Sequence, residues 1–409
     1  MAEAAAQLQK GLDQLALLPD SRQRQQQELE LWSAQGAALR FVKGQAAPEL
    51  GHAFGRARDL WEQLGSPSEF LHVPYGQSRY HMYRGEFELA QRLDEDLLLL
   101  SRQRYDPVGL VLAHQSSGRN LMLVGRFVKA RLHLEEVLAL YDPISHHALL
   151  HQTGSHPEAV SRGELGITLL CLGFPGQALA QSNAAIATAR RLGHPASLAV
   201  SLGLGVRLLS LVGDNTILGE WTDQLVTIAT EHGFPHFRAQ GTIFVGWVKV
   251  KNGDVAGGLS LLRNGLSAYS ASGAQLWMPY FFALLAAACD VAGQFDEAGI
   301  LLDDALRVVA KTGERWPEAE LYRHKGHLLL RQGHSKAAEE FYRRALTIAK
   351  KQQAKLWELR AAAGLANFLR DQGRRSEARD LLLPVYSWFT EGFDTRDLKD
   401  ARALLDKLS

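Results

Sequence analysis

Residues 286–305 read AAACDVAGQFDEAGILLDDA, and forty positions later residues 326–345 read GHLLLRQGHSKAAEEFYRRA. Each segment sets a small residue seven before a glycine, Ala286 before Gly293 and Gly326 before Gly333, with alanines five and twelve after it: Ala298 and Ala305, then Ala338 and Ala345. The same glycine runs through the chain as Gly44, Gly85, Gly125, Gly173, Gly213, Gly253, Gly293, Gly333 and Gly373, at spacings of 41, 40, 48 and then 40 throughout. That is a repeat of 40 residues with one insertion. Gly193, Gly233, Gly273 and Gly313 fall 20 residues later and divide the unit in two.

Each half reads as a helix of roughly 16 to 18 residues, a rod of about 25 Å. In Glu318 to Gln332 the apolar set is Ala319, Leu321, Tyr322, Leu328, Leu329 and Leu330, without the alternation of a strand. Pro107, Pro157, Pro195, Pro235 and Pro317 mark first turns, where a missing N–H costs nothing. The position seven before the glycine is small almost throughout: Ala37, Ser78, Gly118, Gly166, Val206, Gly246, Ala286, Gly326 and Ala366. Five after it stand Ala90, Ala130, Ala178, Ala298, Ala338 and Ala378, while Leu262, Leu302, Tyr342 and Leu382 lie nine after. Small residues at facing positions let two antiparallel helices approach closely, and the bulkier ones fill the gaps. Two helices cannot bury a core alone, so the units must stack.

Composition narrows the function. In 409 residues, 45 Lys and Arg against 44 Asp and Glu leave a net charge of +1, with no basic surplus for nucleic acid. The apolar run from Phe281 to Cys289 is about half of the ~20 residues a membrane span needs, and Met1 to Ala6 lacks a basic leader, so no membrane is expected. Cys171 and Cys289 stand alone and read as buried thiols of a reducing, cytoplasmic compartment. There is no Gly-Lys dipeptide for a phosphate loop, no HExxH and no GxSxG, so no catalytic residue, cofactor or metal is expected.

Two features stand apart. The extra residues fall in 142–156, where His146, His147, His151 and His156 read either as a metal site or, preferably, as a surface loop over the solenoid. Asp290, the lone acid among apolar neighbours, is either a perturbed carboxyl or a groove-facing side chain; an enzyme using it or the histidine loop is the remote reading. The organisation expected is a helical half-unit in 1–27, three repeats in 28–141, the insertion in 142–156, six repeats in 157–390 and a capping helix in 394–409. Ala4, Leu8 and Gly11 carry second-helix spacing without a first helix, which reads as a cut from a longer polypeptide or as a natural capping helix. At the other end Pro384 should interrupt the last second helix. Asp394 should cap a final helix whose apolar face is Leu398, Ala401, Leu404 and Leu405.

The recurring small-Gly-Ala pattern resembles the tetratricopeptide repeat, although that unit is 34 residues long. The resemblance implies an all-α, tetratricopeptide-like α-solenoid: a right-handed superhelix of antiparallel pairs in roughly nine repeats, with the first helices lining a concave groove. Inward positions six, ten and thirteen before the glycine then hold Arg79, Arg119, Arg207, Trp247, His327 and Asn367, with Arg323 and Tyr280. These are the candidate contacts for a peptide, a protein or a small effector.

Several strings go further: Leu17-Leu18-Pro19-Asp20, Leu140-Tyr141-Asp142-Pro143, Thr312-Gly313-Glu314-Arg315-Trp316, Gln352-Gln353-Ala354-Lys355 and Trp388-Phe389-Thr390-Glu391-Gly392-Phe393. In order and spacing they resemble the C-terminal repeat region of bacterial proteins that carry a class III adenylate/guanylate cyclase domain and a STAND-type ATPase. That resemblance implies a non-catalytic sensory region attached to such domains and acting in signal transduction. Repeats that touch only their neighbours would change curvature cheaply and pass a binding event on. The alternative is a self-standing adaptor that joins two proteins.

Overall fold

The computed structural model describes residues 2–408. The helices run α1 (Ala2–Leu15), α2 (Arg22–Val42), α3 (Pro48–Gln63), α4 (His72–Tyr83), α5 (Phe87–Gln103), α6 (Pro107–Leu123), α7 (Phe127–Leu140), α8 (Leu149–Thr153), α9 (Pro157–Leu172) and α10 (Pro175–Arg191). They continue as α11 (Pro195–Val212), α12 (Asn215–Glu231), α13 (Pro235–Lys251), α14 (Val255–Ala271), α15 (Met278–Val291), α16 (Phe295–Thr312), α17 (Glu318–Arg331), α18 (Ser335–Gln352), α19 (Lys355–Asp371), α20 (Arg375–Tyr386) and α21 (Arg396–Leu408). No strand occurs among the described residues.

The glycine ladder is the set of turns that end the first helix of each unit. All nine repeat glycines have φ between 76° and 113°, the left-handed conformation that closes a helix and that a side chain opposes. Where the second series has no glycine, Tyr105 (φ 52°) and Gln353 (φ 55°) adopt the same conformation. The small positions meet as the spacing predicts. A Cβ on Gly166 would lie 3.0 Å from the Ala178 carbonyl oxygen, and one on Gly326 would lie 3.2 Å from that of Ala338. Ser78 Oγ donates to the Ala90 carbonyl at 3.2 Å.

The expectation that repeats touch only their neighbours is corrected by contacts five units apart. The Tyr83 carbonyl at the end of α4 accepts from Gln275 N at 2.8 Å, just before α15. That of Leu123 at the end of α6 accepts from Arg315 N at 2.9 Å and Trp316 N at 3.0 Å, just before α17. The end of α9 brings Gly173 against Lys355, the first residue of α19. One superhelical turn therefore seats on the next. Along this seam Trp277, Trp316 and Trp357 form a buried column, with ring centroids 5.4 and 6.2 Å apart. Apolar area removed from water between turns stiffens the coil in a way that neighbour contacts alone would not.

The seam encloses α9 and α11 almost completely. Helix α11 has the length and apolarity of a membrane span (18 residues, mean hydropathy 1.6), yet 78% of it is buried inside the solenoid. The inserted segment 142–156 is partly interior. Ile144 and His147 are exposed, whereas His146, Thr153, Ser155 and His156 are buried. Arg40 Nη1 donates to the Thr153 carbonyl, tying the insertion to α2. His156 caps α9, its Nδ1 accepting from Ala159 N at 3.4 Å while its Nε2 pairs with Tyr141 Oη at 3.0 Å. His146 Nδ1 accepts from Asp142 N at 2.9 Å. These ring nitrogens serve the loop's own folding.

Two details of the C-terminus differ from the expectations. Helix α20 continues through Pro384 to Tyr386, because the proline lies in its last turn. Helix α21 starts at Arg396 rather than at Asp394; Thr395 precedes it, and its carbonyl accepts from Lys399 N at 3.1 Å. Leu398, Ala401, Leu404 and Leu405 are buried, as is Leu408.

Glu314, fully buried at the seam, accepts from Trp277 N at 3.0 Å and Trp316 Nε1 at 2.9 Å. Burial outweighs these bonds and pushes its carboxyl up to about 8. A raised carboxyl means that the folded chain holds the proton more tightly than the unfolded chain. Its contribution is therefore complete below the unfolded value of 4.5 and is lost as pH rises to about 8. Glu314→Gln keeps an acceptor and cannot ionise. Urea unfolding across that window should show wild-type stability falling relative to the variant as pH rises, and parallel profiles would contradict this.

Candidate functional site

The eight candidates divide between two places. Arg79, Arg119 and Arg207 are only 4%, 4% and 1% exposed, because the winding of the coil encloses their ladder. They line a small inner chamber under the seam. Trp247, Tyr280, Arg323, His327 and Asn367 instead line a cleft of about 660 Å³ formed by α13, α15, α17, α19 and α21. A second hollow of about 550 Å³ continues from it past Trp247 and His327 toward Asp290.

Local structure sets the cleft wall. Successive first helices present one inward position per unit, so Trp247, His327 and Asn367 stand on parallel helices. His327 and Asn367 are exposed, Trp247 and Arg323 are half-buried, and Tyr280 is buried with its Oη 2.7 Å from Ser210 Oγ. Arg323 is engaged by Glu320, with nitrogens 2.7 and 3.0 Å from the carboxylate oxygens. Arg360 ties α19 to three other helices. It donates to Glu320 at 3.1 Å, to Asp397 of α21 at 2.9 Å and to the Leu211 carbonyl at 2.5 Å. Asp290 pairs with Arg331 at 2.9 Å and lies 3.8 Å from His327 Nε2.

Lys251 has a different setting. Its Nζ lies 5.2 Å from the centre of the Trp247 ring, and Arg396 and Arg360 are the charges that bear on it most. Burial, then Arg396 and Arg360, lowers its pKa. Burial also lowers His324 and His327, which favours their neutral forms. The cleft thus offers a cation beside a half-buried indole, which suits a carboxylate next to an apolar group. Inward spacing missed Lys251 because it lies two before Gly253, outside the ladder positions. It also missed Arg396, which reaches the cleft from the capping helix α21.

Comparison with known proteins agrees with this architecture. Residues 281–351 match the tetratricopeptide repeat. Among solved structures, the chain aligns over 93% of its length with 62% of a chain of the APC/C hetero-tetramer Cut9-Hcn1, at 14% identity and a TM-score of 0.51. It aligns over 90% of its length with 99% of the apo quorum sensor NprR from B. thuringiensis, at 15% identity and a TM-score of 0.51. The fold is a tetratricopeptide-like solenoid. A Rap protein complexed with competence and sporulation factor is also similar, at 13% identity over 84% of this chain and 97% of that one, with a TM-score of 0.50. An uncharacterized protein of Rhizobium meliloti (strain 1021) is 27% identical over 233 residues, which are 56% of this chain. The chain spans about a quarter of that relative's length, 23% of it being aligned.

Proposed function

We propose that this solenoid is a non-catalytic interaction module that binds an acidic, amphipathic peptide segment of a protein partner in the cleft between α13 and α21. The observation that carries the reading is Lys251 over Trp247: a cation without a carboxylate partner, beside an aromatic face, in a cleft whose other cations are largely paired. A glutamate or a terminal carboxylate would meet Lys251, and an adjacent aliphatic or aromatic group would cover the indole. Two solenoids of similar fold are described as a quorum sensor and as a Rap protein complexed with competence and sporulation factor, which is in keeping with a binding role.

We further infer that the module serves a larger signalling protein of the cyclase and STAND ATPase kind, where occupancy of the cleft would report to the attached domains. The relative of which this chain covers only 23% supports a place in a longer chain. Selection of displayed peptides on the wild-type solenoid tests the binding site. Selected sequences should pair Asp or Glu with a neighbouring apolar residue, and Trp247→Ala and Lys251→Glu should each weaken them about tenfold or more, that is by ~1.4 kcal/mol. Peptides that bind both variants as tightly as wild type would place the site elsewhere.

A further inference from the structure

The inner chamber carries more positive charge than its walls neutralise. It measures about 30 Å³ and lies where α4, α6, α9 and α11 meet α13 and the start of α15. Arg79, Arg119 and Arg207 reach it from three units, with His236 from a fourth, and Glu164 is the one carboxylate on its wall. Arg119 and Glu164 form an ion pair. Arg79 meets the Tyr75 hydroxyl at 3.4 Å and the Tyr83 ring at 5.7 Å, and Arg207 meets the Gly203 carbonyl at 3.3 Å and the Trp277 and Phe281 rings at 3.7 and 5.9 Å.

Donors outnumber acceptors as well. Arg79 Nε, Arg119 Nη1 and Arg207 Nε are buried donors without a hydrogen-bond partner, against the single acceptor Glu164 Oε2; His236 Nδ1 is also unpartnered, and burial keeps that ring neutral. Arg40, also buried, adds unpartnered Nε and Nη2 atoms close enough to weigh on His236. Glu314, the other carboxyl within electrostatic reach of Arg207, is held toward its neutral form by burial. Buried guanidinium groups without counter-charge are strongly destabilising, and each unmet donor adds to the cost.

We propose that the inner chamber is a binding site for a small inorganic oxyanion of the phosphate type, held by Arg79, Arg207 and the free edge of Arg119. The oxygens supply the missing acceptors, and planar guanidinium groups suit an oxyanion's geometry. Arg79 and Arg119 belong to the first superhelical turn, whereas His236 and Trp277 lie on the strip that seats against it. The anion therefore pins one turn to the next.

The test uses the full chain dialysed free of phosphate and titrated with inorganic phosphate up to about 10 mM, against chloride at matched ionic strength. Phosphate is expected to raise Tm saturably by several degrees, and chloride to do so little. Arg79→Gln, with its fold checked by circular dichroism, is expected to lose that rise. Equilibrium dialysis of labelled phosphate against the wild type should give one site per chain, so the proposal stays testable if the variant does not fold. A rise matched by chloride, no saturable binding, or full retention of the effect in folded Arg79→Gln would overturn it.

Discussion

Gly246→Val is expected to lower the unfolding free energy by about 3 kcal/mol, enough to remove a large part of a typical domain's stability. A Cβ at this position would stand 2.7 Å from the Gly258 carbonyl oxygen and 2.8 Å from Leu262 N. Both obstacles are backbone of α14, so relief requires α13 and α14 to separate along their length. The change also propagates, because each unit is the platform for the next. Gly55 is the matched control. It too lies in a helix, α3, but a Cβ there meets nothing within 4 Å, so Gly55→Ala should stabilise by about 0.5–1 kcal/mol through helix propensity. Urea denaturation of the two variants decides the matter. A Gly246→Val protein within about 0.5 kcal/mol of wild type would mean that the helix pair is not set by close backbone approach.

Trp316→Ala is expected to cost about 3–5 kcal/mol and to open the coil as well. The Trp316 side chain is fully buried, centred between Trp277 and Trp357, with the Tyr280 ring 5.1 Å away, and its Nε1 donates to Glu314. Truncation leaves a cavity at the seam and removes a partner from a buried carboxyl at the same time. Thermal unfolding would report the first effect. Small-angle scattering would report the second as an increased radius of gyration at a temperature where helix content is unchanged. A destabilised variant with an unchanged scattering profile would show that the tryptophan column does not hold the turns together.

The helical unit was legible because its signals are local and repeated. Gly166 facing Ala178 and Gly326 facing Ala338 could be read from spacing, since a hairpin of two helices fixes which positions meet. The candidate site was legible only in part. Trp247, Tyr280, Arg323, His327 and Asn367 line the cleft, but the same ladder rule that selected them also selected Arg79, Arg119 and Arg207, which are buried. Lys251 and Arg396 lay outside the rule.

The sequence by itself determined the all-α class, the 40-residue unit, the place of the insertion and the packing within each pair, all of which rest on the pattern within one unit and its recurrence in the next. Only the tertiary structure decided that units five apart touch, that Tyr83 meets Gln275 and Leu123 meets Trp316, and hence which inward arginines are buried under the seam and which residues line the larger cleft. The physical reason is accumulation. Each unit rotates slightly against its neighbour, and whether successive turns meet depends on the sum of those rotations over five units, a quantity that no spacing within one unit records.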